Sequence, residues 1–127
     1  MGRVQKAARD GECQDYIYLM RYRAFHERLK KAVVNTPGET PESLRRAVLE
    51  QAQEIPGARD HLPASLTNYV DTVARHAYQV TDADLTALQH AGQSDDSLFE
   101  ITVAAAVGAA LHRLERGMAA LRGEEPD

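Results

Sequence analysis

A chain of 127 residues and 14.0 kDa has the length of one domain. Its 43% hydrophobic and 27% charged residues are ordinary soluble usage, which excludes a fibrous repeat and argues against disorder. Roughly two thirds of the unfolded surface of such a chain can be buried, enough for a core without disulfides or metals. The single cysteine, Cys13, excludes an intrachain disulfide and any two-thiol redox reaction within one chain.

The net charge of −4 hides an asymmetry. Residues 1–34 carry eight Lys/Arg against four Asp/Glu, whereas residues 35–127 carry seven against fifteen, so a segment of +4 precedes a body of −8. A basic segment of this kind can dock on its own body, on a neighbouring subunit or on a polyanion. Asp10, Glu12, Asp15 and Glu27 interrupt the cations, so nucleic-acid binding is not expected. Gly2 to Gly11 is polar and lacks the apolar stretch of a signal peptide, and the longest strongly apolar run, Ile101 to Leu111, is eleven residues. A span needs about 20, so the expectation is a soluble, cytoplasmic protein without membrane contact.

Strand alternation is nearly absent, and five helical stretches follow one another. The first, from about Asp15 to Val34, places Tyr18, Tyr22, Phe25, Leu29 and Ala32 on one face at alternating spacings of four and three. That aromatic stripe suits packing on the domain or on a partner subunit. Asn35-Thr-Pro-Gly38 ends it. Thr40 is the expected cap of the second stretch, with Pro41 at its first helical position and Leu44, Ala47, Val48 and Gln51 in helical period until Ile55-Pro-Gly57. The third starts near Pro63 and reaches about Tyr78, with Leu66, Tyr69, Val70, Val73, Ala74 and Ala77 as its apolar face.

Thr81-Asp-Ala-Asp84 reads as a capping box opening a short fourth helix, which Gly92 ends in a left-handed conformation. Ser94-Asp95-Asp96 caps the fifth, which runs to about Leu121, roughly 40 Å. Its middle is apolar nearly all round and is expected to be the central buried helix. The small residues from Ala104 to Ala110 allow neighbouring backbones to approach closely. The expected organisation is a basic helical extension over residues 1–38, a helical domain over 39–122 and a charged tail over 123–127, expected to be disordered.

The stretch Leu62-Pro63, Tyr69-Val-Asp-Thr-Val73, His76 to Asp82, Ala91-Gly92-Gln-Ser-Asp95, Leu98-Phe-Glu-Ile101 and Ala104 to Ala110 resembles the alkylhydroperoxidase D / carboxymuconolactone decarboxylase superfamily. The likeness covers about Thr40 to Leu121 and implies an all-α fold, an alkylhydroperoxidase D-like bundle built on an antiparallel helical hairpin. The third and fifth helices would form that hairpin through the short fourth, with the second as cover. The family's peroxidase branch uses Cys-x-x-Cys-x-x-x-His before the Ala-Gly turn, with a Glu upstream. Counting back from Ala91-Gly92 puts those positions at Ala77, Val80, Asp84 and near Ser65. All four are replaced, and no cysteine follows Cys13. The resemblance therefore implies a member without thiol peroxidase chemistry, because the dithiol that attacks peroxide and resolves the sulfenate is missing. Family members assemble as dimers, trimers or hexamers, so self-association is expected.

Cys13 reads as an incidental surface thiol. None of His26, His61, His76, His90 and His112 pairs at helical spacing, so no metal site is expected; a His76, Asp84, His112 group is conceivable, but satisfied histidines at helix ends are commoner. Glu100 next to the apolar run is either a pocket carboxylate or half of an ion pair with Arg75 or Arg113. Tyr69 and Tyr78 can line a small apolar pocket, although core packing is their commoner use. Tyr69, His76, Tyr78, Asp84 and Glu100 are thus the candidate pocket, and no catalytic residue or cofactor is assigned.

Two functions follow. One is a non-redox homo-oligomer serving as a binding or scaffold module. The alternative is a cofactor-free enzyme, decarboxylase- or isomerase-like, acting on a small organic molecule. A closed pocket with strongly shifted acids or histidines would favour the enzyme; side chains exposed or engaged in structural bonds would favour the module.

Overall fold

The computed structural model describes residues 20–123, which are helical with short connections and contain no strand. Helix α1 covers residues 20–34, followed by α2 (Glu42–Ala52), a 3-10 turn (Ala58–His61), α3 (Ala64–His76), a second 3-10 turn (Ala77–Gln79), α4 (Asp82–His90) and α5 (Asp95–Leu121). The chain is all-α. Cys13, Tyr16, Tyr18, the start of the first expected helix and tail residues 124–127 lie outside the described residues.

Local capping chemistry sets several boundaries. Thr81 accepts a hydrogen bond from the Asp84 amide while the Asp84 carboxylate accepts one from the Thr81 amide, the reciprocal arrangement expected at the start of α4. Gly92 follows α4 at φ 106°, and the Ser94 hydroxyl accepts from the Ser97 amide to open α5. The start of α2 differs from expectation. Pro41, not Thr40, occupies the cap position, and no side chain caps the helix, because Thr40 is turned towards Glu100 on α5.

The core is assembled mainly between α2 and α5, with α3 as the third wall. α3 packs on α5, but α2 is α5's most extensive neighbour and not merely a cover. Gly108 is the reason. A Cβ at that position would lie 2.3 Å from the Leu49 carbonyl oxygen and 2.8 Å from the Ala52 Cβ, so α2 and α5 touch backbone to backbone there. Val48, Leu49, Leu66, Val70, Ile101 and Leu111 are essentially fully buried around this contact.

Two expectations about helix faces are corrected. On α1, Tyr22, His26, Leu29 and Val33 turn inward, whereas Phe25 and Ala32 are exposed; the buried face is rotated from the Tyr22–Phe25–Leu29–Ala32 stripe. Val34 at the end of α1 is 2% exposed and belongs to the core. On α5, burial is one-sided. Leu98, Ile101, Ala104, Ala105, Gly108, Ala109 and Leu111 are buried, but Phe99, Ala106 and Ala110 face outward. By length and composition alone α5 could cross a membrane, and 39% of its apolar window is buried inside the fold.

Candidate functional site

The five candidate residues occupy three separate places. Tyr69 and Asp84 share a groove of about 200 Å³ between α3 and α4, together with Ser65, Asn68, Thr72 and Ala87. The Tyr69 ring is buried, and its hydroxyl lies 2.6 Å from the Thr102 hydroxyl, which itself donates to the Leu98 carbonyl. Asp84 is engaged by the cap of α4. Ser65 and Asp84 both line this groove, one as a hydroxyl and the other as a capping carboxylate.

His76 and Tyr78 lie outside that groove. Both are exposed, Tyr78 by 81%, and their rings meet edge to face at 6.0 Å. Glu100 stands elsewhere again, half-buried at the start of α5. Its Oε1 accepts from the Glu39 amide and its Oε2 from the Thr40 amide and hydroxyl, each at 2.7 Å. The Thr40 hydroxyl, the two amides and the nearby Arg45 charge hold its pKa below the usual carboxylate value, against the opposing effect of burial. This is an ionised latch, not a proton donor. Neither Arg75 nor Arg113 is its partner: Arg75 pairs with Glu54, and Arg113 donates to the Ala74 carbonyl.

The latch extends to a residue that was not singled out from sequence. Arg45 is 3% exposed, and its guanidinium donates to the carbonyls of Val34, Thr36 and Thr40, closing the end of α1 and the following loop. Gly38 lies against the same pair; a Cβ there would stand 1.9 Å from Glu100 Oε1. Arg45 falls three and four residues before Val48 and Leu49, so its spacing already placed it on the buried face of α2.

A second polar cluster joins α1 to α5. Gln53, 4% exposed, donates to Glu115 at 2.8 Å, and His26 Nε2 lies 3.2 Å from the same carboxylate oxygen. The Tyr22 ring packs edge-on against His26, and its pKa is raised by burial and by Glu115, with Arg122 opposing.

A third cluster lines a groove of about 320 Å³ bounded by the end of α2, by α3 and by α5. Glu54 is its centre: Oε1 accepts from Arg75, and Oε2 lies 2.6 Å from His112 Nε2. Across the groove, Asp71 accepts from Gln51 at 3.0 Å and from Arg59 at 3.1 Å. Glu54 adopts φ 64°, the left-handed position after a helix that glycine ordinarily fills, while the Glu54 and Ile55 amides bond back to the Gln51 and Glu50 carbonyls. Among the described residues no group of three or more His, Cys, Asp or Glu side chains is arranged to hold a metal.

No family model, curated protein or solved structure matches this chain.

Proposed function

We propose that this protein is a non-redox, homo-oligomeric helical module with an alkylhydroperoxidase D-like bundle, acting in the cytoplasm as a binding or scaffold unit and not as a thiol peroxidase. The capping box at Thr81, the left-handed Gly92 and the cap at Ser94 fall where the resemblance anchors its short helix and long helix, and this supports the bundle assignment. The dispersal of the five candidate residues favours the module over the enzyme: His76, Tyr78 and Asp84 are exposed, the Asp84 and Glu100 carboxylates are engaged by structural bonds, and Tyr69 is packed.

One observation carries the self-association reading. Phe99, Val103, Ala106, Ala110, Arg113 and Gly117 follow one another on α5 at spacings of four, three, four, three and four, the repeat of a coiled-coil seam. All are exposed except the half-buried Val103, and Phe99 is 70% exposed. Such a seam takes another helix running alongside, and a second copy supplies one. In an antiparallel twofold pair centred between Ala106 and Ala110, these small residues let the backbones approach, and the Phe99 ring of one copy meets the bare surface of Gly117 in the other, where a Cβ would have open space. The same arrangement sets the end of α5 that carries Asp95 and Asp96 beside the half that carries Arg116.

Light scattering at micromolar concentration should give an even multiple of 14.0 kDa, and a lone 14.0 kDa species refutes the reading. Sedimentation with lipid vesicles but no self-association would instead assign the seam to a membrane. Hydroperoxide turnover with a dithiol reductant that persists in Cys13→Ser would contradict the non-redox assignment.

A further inference from the structure

We propose that the groove around Glu54 and His112 is a binding site for a small organic carboxylate, received by Arg113. Its charges are unevenly satisfied. Both of its carboxylates are already occupied, Glu54 by Arg75 and His112, and Asp71 by Gln51 and Arg59. Arg113 has no carboxylate within 4.0 Å among the described residues; its one hydrogen bond, at 3.0 Å, goes to the Ala74 main-chain carbonyl. That bond fixes the guanidinium at the groove and uses one of its five N–H donors. A planar fork of this kind matches a carboxylate better than it matches a spherical anion.

Beside it, Glu54 orients the His112 ring through Nε2, so the imidazole is a held group and not a free rotor. The backbone supports the same reading. A glutamate in a left-handed helix-end position is less favourable than glycine, and what the glutamate contributes there is its two bonds to Arg75 and His112. Alanines from α2, α3 and α5 line the groove, and its roughly 320 Å³ holds a molecule of a few carbon atoms. From its place on the α5 seam the Arg113 guanidinium reaches the Ala74 carbonyl on α3.

The experiment is a titration of the full chain with succinate, following the His112 imidazole resonances by NMR, with sodium chloride and inorganic phosphate at matched ionic strength. Succinate should shift the His112 signals saturably, and Arg113→Gln should weaken the binding by about tenfold or more, the value of one charge-assisted hydrogen bond. Arg46→Gln, on the exposed face of α2, should leave it unchanged. Shifts that chloride reproduces, a stronger response to phosphate than to succinate, or binding unaltered in Arg113→Gln would each overturn the assignment. Light scattering on the same samples reads self-association separately.

Discussion

The two faces of α5 teach opposite lessons about small residues. On the inner face, Gly108 and its neighbours Ala104, Ala105 and Ala109 are buried, and the missing side chains let the α2 backbone come within contact of α5. On the outer face, Ala106, Ala110 and Gly117 are equally small but exposed, and a Cβ at Gly117 would meet no atom within 4 Å among the described residues. The inner set is needed for the chain to fold. The outer set makes an exposed surface among the described residues, and its coiled-coil spacing is what suggests a second copy.

Breaking the inner face should have the largest effect. Gly108→Leu drives a side chain into the Leu49 carbonyl and should destabilise the monomer by about 3 kcal/mol or more. Ala110→Leu on the outer face should leave the monomer's urea midpoint nearly unmoved, read at dilution where the chain does not self-associate. Equal losses for the two variants would erase the distinction between the faces.

Next in size is the latch that ties α1 to the body. Arg45→Met strands three carbonyls in a buried setting and should cost about 2–3 kcal/mol, read again from the urea midpoint. Glu100→Gln should cost about 1–2 kcal/mol at neutral pH, since the amide replaces an ionised acceptor of three hydrogen bonds. The folded-state pKa of Glu100 lies below its ordinary value of about 4.5, so its contribution is complete above that value and is lost as pH falls through the lower folded value. The gap between wild type and Glu100→Gln should therefore be constant near neutrality and close below about pH 4.5. A gap that instead widened on acidification would contradict the ionised latch.

The smallest stability effect is expected at Glu54. Glu54→Gly relieves the left-handed backbone by about 1 kcal/mol while removing two partly exposed pairs worth about 0.5 kcal/mol each, so the thermal midpoint should barely move. A large loss would make Glu54 a folding residue and not a site residue.

What the sequence disclosed was local chemistry. Thr81 with Asp84, Gly92 and Ser94 each act within one turn of chain, and each appears in the structure as expected. The aromatic stripe of α1 was less legible, because Tyr22 and Leu29 belong both to the stripe through Phe25 and Ala32 and to the one through His26 and Val33. Only the position of the body selects the second. Glu100 was expected to pair with Arg75 or Arg113, but its donors come from residues about 60 positions earlier, which periodicity along α5 cannot reveal. Glu54 carried no signal at all: it occupies a turn that a glycine would have announced, and its partners Arg75 and His112 come from two other helices.

The most direct test of the seam is sedimentation of the wild-type chain beside Ala106→Glu, with circular dichroism on both. Even-numbered assembly of the wild type, and a 14.0 kDa species of unchanged helicity for the variant, are the predicted results. If Ala106→Glu assembles as well as the wild type, a second copy does not cover this face of α5.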